Sequence, residues 1–302
     1  MKLGFVVLNY LNYQILLDCI NKLLLIDGIE KCQIAIVDNG SPNDSYKVIK
    51  DAFSNIDNVF VIKSVINSGY AKGNNVGYFY LKQKCGCDTI IIMNSDVLIE
   101  DKSFLSKLAD VVKNNGDVAV VAPDVVNLNG SHCNPFGLSF LSVKTARISI
   151  IKNSILYFFI KLGFDIQRKN KISSNYRPPI ICHDEYREDF VPHGSFIIFL
   201  RSWVDNEDRA FCPDTFLFCE ENILFSYLKE KEYKILYSPL MQAVHCEDGS
   251  IKMETKSNKK KALFTIKNQN KSLKNFIRFM KKPLLQWNKS EPFDLTKIVW
   301  DE

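Results

Sequence analysis

Residues 90–96 read Ile-Ile-Ile-Met-Asn-Ser-Asp, an apolar run that ends in a carboxylate. A short run of branched apolar residues bounded by polar ones is typical of a strand buried in a sheet that is covered on both faces. A carboxylate at the end of such a strand can bind a hard divalent cation that also holds phosphate oxygens. Taken alone, Asp96 is explained equally well as a turn or helix-capping residue, because aspartate favours both positions.

Three similar runs precede this strand, at Leu3–Leu8, Gln33–Asp38 and Val59–Lys63. Apolar residues recur at helical spacing between the runs. The helices predicted in this half cover residues 15–24, 45–53, 73–83 and 103–114. Strands that alternate with helices predict an α/β fold with a mostly parallel central sheet flanked by helices.

Polar residues follow all four predicted strands. In open sheets of this kind, ligands bind beyond the carboxyl ends of the strands, so these residues are candidates for one binding site. The candidates are Asn9, Tyr10, Asp38, Asn39, Asn67, Gly69, Lys72, Asn74, Ser95 and Asp96.

Two groups of these residues can bind a nucleotide. Asp38 can accept hydrogen bonds from a base or a ribose. The loop at residues 67–75 contains glycine and runs into a helix, so its backbone amides can approach a phosphate or a ribose. The glycine spacing is not the dinucleotide fingerprint, which argues against a nicotinamide enzyme.

Four motifs in series resemble those of the family 2 glycosyltransferases. They are Asn-Tyr at 9–10, Val-Asp-Asn-Gly-Ser at 37–41, Asn-x-Gly-x-Ala-x-Gly-Asn at 67–74 and the strand that ends in Asn-Ser-Asp at 94–96. The resemblance covers roughly residues 3–280. Within the family, the chain most resembles rhamnosyltransferase-like enzymes that build bacterial surface polysaccharides such as O-antigen or capsule. It implies the GT-A fold and a nucleotide-sugar donor, with the ten residues named above on the donor side.

The second half continues the resemblance. Residues 191–199 are similar to the strand that lines the acceptor side, which implies acceptor contacts for His193 and Gly194. Glu220 and Glu221 follow an aromatic run, as the acidic pair of the family does, and the alignment favours Glu221 as the catalytic base. A carboxylate at the start of a helix can take a proton from an acceptor hydroxyl. Without the resemblance, a favourable interaction with the helix N-terminus explains the same acids.

The resemblance also implies a metal site. Residues 245–250 are similar to a late family motif in which the histidine reaches the metal or the diphosphate, so Asp96 and His245 are the candidate ligands of Mn²⁺ or Mg²⁺. A structural role for His245 is the alternative, since a lone histidine is more often structural.

Basic residues are concentrated near the C-terminus, where Lys267-Asn268 resembles a family pair. We expect this helix to contact an anionic membrane surface or the pyrophosphate of a lipid-linked acceptor, although a solvated basic helix explains the pattern too. No nucleic-acid-binding motif accompanies the charge. Residues 148–164 are apolar but contain two lysines, which opposes a membrane span and leaves a buried or an interfacial helix.

These observations predict a GT-A catalytic domain over residues 1–250, with a nucleotide-sugar-binding half (1–125), an acceptor-binding half (126–250) and a basic helical extension (251–302). The predicted function is metal-dependent, inverting transfer of a hexose or deoxyhexose from a UDP- or dTDP-sugar to a growing, lipid-linked bacterial glycan. The predicted location is the cytoplasm, at the inner face of the plasma membrane. The alternatives are a non-catalytic nucleotide-sugar or glycan-binding protein and a sugar nucleotidyltransferase.

Overall fold

A computed structural model describes residues 1–137, 141–163, 183–246 and 258–300. Its strands are β1 (Leu3–Asn9), β2 (Gln33–Asn39), β3 (Val59–Ser64), β4 (Thr89–Asn94), β5 (Val97–Leu98), β6 (Val118–Asn127), β7 (Phe196–Phe199), β8 (Lys234–His245) and β9 (Ile298–Val299). Its α-helices are α1 (Tyr13–Leu23), α2 (Ser45–Phe53), α3 (Tyr70–Phe79), α4 (Phe104–Asn114), α5 (Val143–Lys161), α6 (Arg201–Val204), α7 (Glu220–Glu230), α8 (Asn258–Phe279) and α9 (Pro283–Trp287). Short helical turns lie at Ile29–Lys31, Tyr80–Lys84 and Leu295–Lys297.

The described strands form one sheet in the order β5-β8-β6-β7-β4-β1-β2-β3-β9. Neighbours among β3, β2, β1 and β4 are parallel, which confirms the α/β class and the four strands predicted in the first half. The complete sheet is mixed, because β7 runs antiparallel to both β4 and β6. Parallel pairing brings the carboxyl ends of β1, β2 and β4 to the same edge, with Asn9 opposite Asp38 and Leu8 opposite Asn94.

Two hydrophobic clusters cover the two faces of the sheet. Successive side chains of a strand point to opposite faces, so Val6 packs in one cluster while Phe5 and Val7 pack in the other. The same alternation divides Ile92 from Ile91 on β4. Both faces of β1 and β4 are therefore buried, and the polar residues of these two strands lie at their ends.

The strands of the second half are longer than the sequence predicts. The sequence pattern predicts a strand at residues 118–121 and two short extended pieces at 234–237 and 243–245. In the structure β6 continues to Asn127, and the two pieces are one strand, β8. Pro239 interrupts the apolar pattern, but a shift in register between Pro123 and Asp124 accommodates the extra residues of β8. A bulge of this kind keeps a strand continuous although its sequence pattern is broken.

α5 lies on the surface. It covers Val143–Lys161, and the side chain of Ser142 caps its first turn by accepting a hydrogen bond from the backbone N–H of Thr145. Only Ala146 and Ile160 of this helix are buried. The buried helix, one of the two alternatives for residues 148–164, is therefore wrong, because α8 covers α5 on one side only. Across the described ranges, no helix combines the length and apolar character needed to cross a membrane.

The C-terminal residues pack against the rest of the molecule. Phe276 and Phe279 of α8 are buried in one of the two clusters, and Trp287 of α9 stacks on Tyr227 of α7 with ring centroids 4.0 Å apart. β9 adds an antiparallel edge strand beside β3. The division predicted at 125/126 and at 250/251 stays a prediction.

Close packing of α3 on the sheet requires glycine. A Cβ at Gly77 would lie 2.4 Å from a methyl carbon of Val6, a fully buried and stiff side chain. We expect Gly77→Ala to lower the free energy of unfolding by about 1–3 kcal/mol, because overpacking outweighs the gain in helix propensity. Urea unfolding measures the change.

Gly116→Ala is the matched control for Gly77→Ala. A Cβ at Gly116 would meet nothing within 4 Å. We expect this control to be neutral within about 0.5 kcal/mol. Equal effects of the two substitutions would contradict the packing of α3 described above.

Candidate active site

The ends of β1 and β2 share a buried hydrogen-bonded group. Asn9 Nδ2 donates to Asp38 Oδ1 at 2.8 Å, and Ser41 Oγ donates to the same oxygen at 2.7 Å. The backbone N–H of Ser41 reaches Asp38 Oδ2 at 3.3 Å, which leaves that oxygen able to accept a further bond. Burial raises the pKa of Asp38, and the bonds from Ser41 and Asn9 oppose the rise. Sequence reasoning selected Asn9 and Asp38 as site residues and included Ser41 only in the motif at 37–41.

Asn39 joins β2 to the glycine-containing loop. Its Nδ2 donates to Asn67 Oδ1 at 3.2 Å and to the carbonyl of Gly69 at 3.1 Å, while its Oδ1 accepts from the backbone N–H and the hydroxyl of Ser68. These contacts use all four hydrogen-bonding positions of the amide. Asn39 therefore positions the loop and has little capacity left for a ligand.

Gly69 lets this loop approach the second half of the chain. Its φ is +86°, in the left-handed region that favours glycine, and a Cβ there would lie 2.5 Å from the carbonyl oxygen of Phe216. That same carbonyl accepts from the backbone N–H of Tyr70 at 2.8 Å. The first turn of α3 is thus held against the segment that leads into α7.

Three candidates of the donor side differ in their surroundings. Asn74 is fully buried, and its Oδ1 has no hydrogen-bond partner in the described part of the chain. Tyr10 is half-buried beside the end of β1. Lys72 is half-buried and contributes to lowering the pKa of Asp294, which places its charge toward the C-terminal segment.

Asp96 and His245 meet at the end of β4. Asp96 is buried, and its Oδ1 lies 3.3 Å from His245 Nε2. Two ligands about 2.1 Å from one cation and at right angles to each other are about 3 Å apart, so this pair fits a shared Mn²⁺ or Mg²⁺. His245 Nδ1 is buried without a hydrogen-bond partner among the described residues. Ser95 is half-buried next to Asp96, and residues 247–250 of the predicted motif lie outside the described ranges.

His193 is a neutral hydrogen-bond donor. Its Nδ1 lies 3.3 Å from the backbone N–H of Ser195, which can only donate, so Nδ1 is the acceptor and Nε2 carries the proton. Burial and the neighbouring His245 lower the pKa of His193 to about 4. Asn134 fixes the backbone by accepting from the N–H of His193 at 2.6 Å. Sequence reasoning missed Asn134 because it lies 59 residues away in the chain.

The acidic pair begins α7 after two residues with strained backbone. Phe218 and Cys219 have φ of 75° and 68°, values that residues other than glycine rarely adopt. Burial and the carboxylate of Glu221 raise the pKa of Glu220 to about 8, and burial also raises the pKa of Glu221. Burial raises the pKa of Glu221 while the backbone N–H of Gly194 opposes the rise, and a Cβ on that glycine would lie 2.4 Å from Glu221 Oε1.

Tyr70 connects the two halves of the site. Its hydroxyl donates to the carbonyl of Gly194 at 2.5 Å. Burial raises the pKa of Tyr70, and the negative charges of Glu221, Glu220 and Asp96 raise it further, which places these carboxylates around one ring. Sequence reasoning missed this tyrosine, and the available signal was its position directly after Gly69.

A second group of potential ligand atoms lies outside this site. One ligand atom from each of Asp124, His132 and His183 lies within 4.8 Å of the other two. His132 Nδ1 is 2.7 Å from Asp124 Oδ1, and the two imidazole rings stack with centroids 3.9 Å apart and planes 8° apart. His183 Nδ1 has no hydrogen-bond partner among the described residues, but nearly parallel rings direct their nitrogen lone pairs into separate planes, which disfavours a shared cation.

Comparison with known proteins gives one family. The model of the family described as "Glycosyl transferase family 2" matches residues 5–205, more than half of the chain. An uncharacterized protein of Haemophilus influenzae is 25% identical over 184 residues, an alignment that covers 58% of this chain and 92% of that protein.

Two solved structures of S. aureus TarS 1–349 are similar in fold. The structure in complex with UDP has a TM-score of 0.54 and 13% identity, and the match covers 93% of this chain and 75% of TarS 1–349. The structure in complex with UDP-GlcNAc has a TM-score of 0.53 and 14% identity over 95% and 78% of the two chains. At this identity the likeness shows the fold alone, which is the GT-A fold predicted from the sequence.

The raised pKa of Glu220 links stability to pH. The folded protein keeps a proton that the unfolded chain, with an ordinary pKa near 4.5, releases. The contribution of Glu220 to the free energy of unfolding is therefore fully present below about pH 4.5 and is lost as the pH rises through about 8. We expect Glu220→Gln, which resembles the protonated acid, to raise Tm by about 2–6 °C at pH 9 and by less than about 1 °C at pH 5.

Thermal unfolding at the two pH values measures this difference. Glu230→Gln is the control, because Glu230 is an exposed acid on the same helix. A change in Tm for Glu220→Gln that is the same at both pH values would show that the carboxyl of Glu220 is not protonated in the folded protein.

Proposed function

The chain belongs to glycosyl transferase family 2, and from this membership we propose that it transfers a hexose or deoxyhexose from a UDP- or dTDP-sugar to a growing, lipid-linked bacterial glycan. The proposed transfer inverts the anomeric centre. The UDP and UDP-GlcNAc complexes of the structurally similar TarS support a uridine nucleotide as one candidate donor. A lipid-linked acceptor would place the protein at the inner face of the plasma membrane, as a part of O-antigen or capsule synthesis.

One observation supports catalysis above all. The carboxylate of Glu221 contacts Gly194 at the entrance to β7, and β7 pairs with β4, which ends beside Asp96. The backbone N–H of Asn94 donates to the carbonyl of Ser195 at 2.9 Å, so the ends of these two strands are held together. The candidate base on α7 thus contacts the entrance to β7, and the candidate metal ligand follows the neighbouring strand, β4.

Glu221 is the proposed general base. Its carboxylate takes the proton of the acceptor hydroxyl as that oxygen bonds to the anomeric carbon, while the bond from this carbon to the diphosphate oxygen breaks and the nucleoside diphosphate leaves. A raised pKa makes Glu221 a stronger base than an exposed glutamate. Glu220, with its pKa near 8, keeps its proton at neutral pH and so adds no second negative charge beside the base.

The donor side is proposed to hold the nucleotide. Asp38 Oδ2 has room to accept a hydrogen bond from the base or the ribose, and the backbone N–H groups of residues 71 and 72 at the start of α3 can approach phosphate oxygens, since that of Tyr70 is bonded to Phe216. Asp96 and His245 would hold a Mn²⁺ or Mg²⁺ ion, and such an ion supplies neutralisation of the charge that develops on the leaving diphosphate. His193 can donate from Nε2 to an acceptor oxygen.

A non-catalytic binding protein accounts less well for the acidic pair. Burial of Glu220, partial burial of Glu221 and two left-handed residues directly before them all lower the stability of the folded chain. Binding of a nucleotide sugar needs neither feature. A base for the acceptor hydroxyl explains why the chain keeps both.

The role of Glu221 is tested by Glu221→Gln. We expect this variant to keep its affinity for the nucleotide sugar and to lose about 10²–10⁴-fold in kcat, because the amide cannot accept the proton. Donor affinity is measured by calorimetry, and turnover by release of the nucleoside diphosphate in the presence of acceptor. Glu230→Gln, an exposed acid at the other end of α7, serves as the control. Full turnover by Glu221→Gln would remove Glu221 as the base.

Metal binding is tested by the melting temperature with nucleoside diphosphate. We expect UDP or dTDP to raise Tm more with Mn²⁺ or Mg²⁺ than with chelator, since a ligand selective for the folded state stabilises it by mass action. Asp96→Ala and His245→Ala should each abolish the difference between metal and chelator. Asp110→Ala removes an exposed acid on α4 and should preserve it. An unchanged metal effect in Asp96→Ala would show that the ion binds elsewhere.

A further inference from the structure

An apolar ridge runs along the outer face of α5. The ridge consists of Ile148, Ile151, Ile155 and Phe158 of the helix and of Leu162, which directly follows it. Their exposed fractions are 43%, 61%, 54%, 58% and 59%, so each side chain leaves about half of its surface open. Residues spaced three and four apart lie on one face of a helix, which aligns all five side chains. A contiguous exposed apolar surface of this kind marks an interaction site.

The two helices at this surface carry charge of one sign. α5 contains four basic residues and no acidic residue, and α8, which lies beside it, contains seven basic residues and no acidic residue. Lys267, Lys271, Lys274 and Arg278 are exposed and lie on one face of α8 at spacings of three and four. The surroundings of the ridge are therefore strongly cationic.

The basic face and the ridge adjoin. Asn270 Nδ2 of α8 donates to Ser154 Oγ of α5 at 3.2 Å, and a groove between the helices is lined by Ser154 together with Lys267, Lys271 and Lys274. Ile151 and Phe158 lie three residues before and four residues after Ser154. Both residues are therefore neighbours of Ser154 on the helix surface, so the ridge adjoins a groove to which α8 contributes three lysines.

Charge decides between two occupants of the ridge. In a dimer of this chain the two ridges would pair, and the basic residues of α5 (Arg147, Lys152 and Lys161) in one copy would lie close to those of the other. No acidic residue of α5 would compensate this repulsion. An anionic lipid surface offers the opposite charge to all of these residues and an apolar layer to the ridge. Inserted apolar side chains and nearby basic side chains both strengthen binding to an anionic membrane interface, and here α5 supplies the first and α8 the second.

We propose that the ridge of α5 inserts into the interface of an anionic bilayer while the basic face of α8 contacts the lipid headgroups. This role goes beyond the transfer reaction and does not depend on the identity of donor or acceptor. It assigns a function to the helix at residues 148–164, for which the sequence allowed either a buried or an interfacial position. The groove at this surface is also lined by Phe216, whose carbonyl contacts Tyr70, so the surface lies on the side of the molecule from which α7 begins.

Flotation of the full-length chain with vesicles tests the proposal. One set of vesicles contains phosphatidylcholine alone, and the other contains phosphatidylcholine with about a third phosphatidylglycerol. We expect binding to the anionic vesicles only, weakening as salt is raised, because screening reduces the headgroup attraction. The triple variant Ile151→Ser, Ile155→Ser, Phe158→Ser should reduce the partition coefficient at least about tenfold.

Matched controls separate the ridge from general effects of composition. Leu25→Ser, Leu240→Ser and Leu295→Ser together remove three exposed apolar side chains far from α5 in the sequence and should leave binding unchanged. Lys267→Gln, Lys271→Gln and Lys274→Gln should reduce binding to anionic vesicles, whereas Lys31→Gln, Lys84→Gln and Lys113→Gln remove the same charge from other exposed positions and should have less than half that effect. Thermal unfolding confirms that each variant is folded.

Three results would overturn the proposal. The first is absence of vesicle binding by the wild type. The second is binding that the ridge variant retains in full. The third is self-association of the wild type, seen by light scattering, that the ridge variant abolishes while vesicle binding is absent, which would assign the ridge to a second copy.

Discussion

The contact between Glu221 and Gly194 is the interaction on which the site depends. The carboxylate occupies the space that a side chain at residue 194 would fill, and the backbone N–H of the same residue favours the charged form of Glu221. Tyr70 then fixes Gly194 from the other side through its carbonyl. Through these three residues the start of α7, the entrance to β7 and the start of α3 are joined, although they lie far apart in the chain.

Buried acidic groups and strained backbone near the site lower the stability of the folded chain. Asp38, Asp96 and Glu220 are buried near the strand ends, and burial raises the pKa values of Asp38 and Glu220. Phe218 and Cys219 hold left-handed conformations directly before the acidic pair. A chain selected for stability alone would avoid these features, and their concentration at one edge of the sheet is expected of a catalytic site.

The sequence was informative wherever local pattern determines structure. β4 and its terminal Asp96 could be predicted because a buried parallel strand is a continuous apolar run, and the carboxyl ends of parallel strands must meet at one edge. Tyr70 and Asn134 were missed because their partners, Gly194 and His193, are distant in sequence. The surface position of α5 was also unpredictable, because its inner and outer faces are both apolar and periodicity cannot tell which one is covered.

The most direct test is a double-mutant cycle on the free energy of unfolding for Gly194→Ala and Glu221→Ala. If the carboxylate fills the space beside Gly194, Gly194→Ala should cost about 1–3 kcal/mol in the wild type and less than about 0.5 kcal/mol once Glu221 is alanine. Such coupling would support the assembly of the site through this contact. An equal cost in both backgrounds would show that Glu221 is not held by Gly194 and would contradict the account.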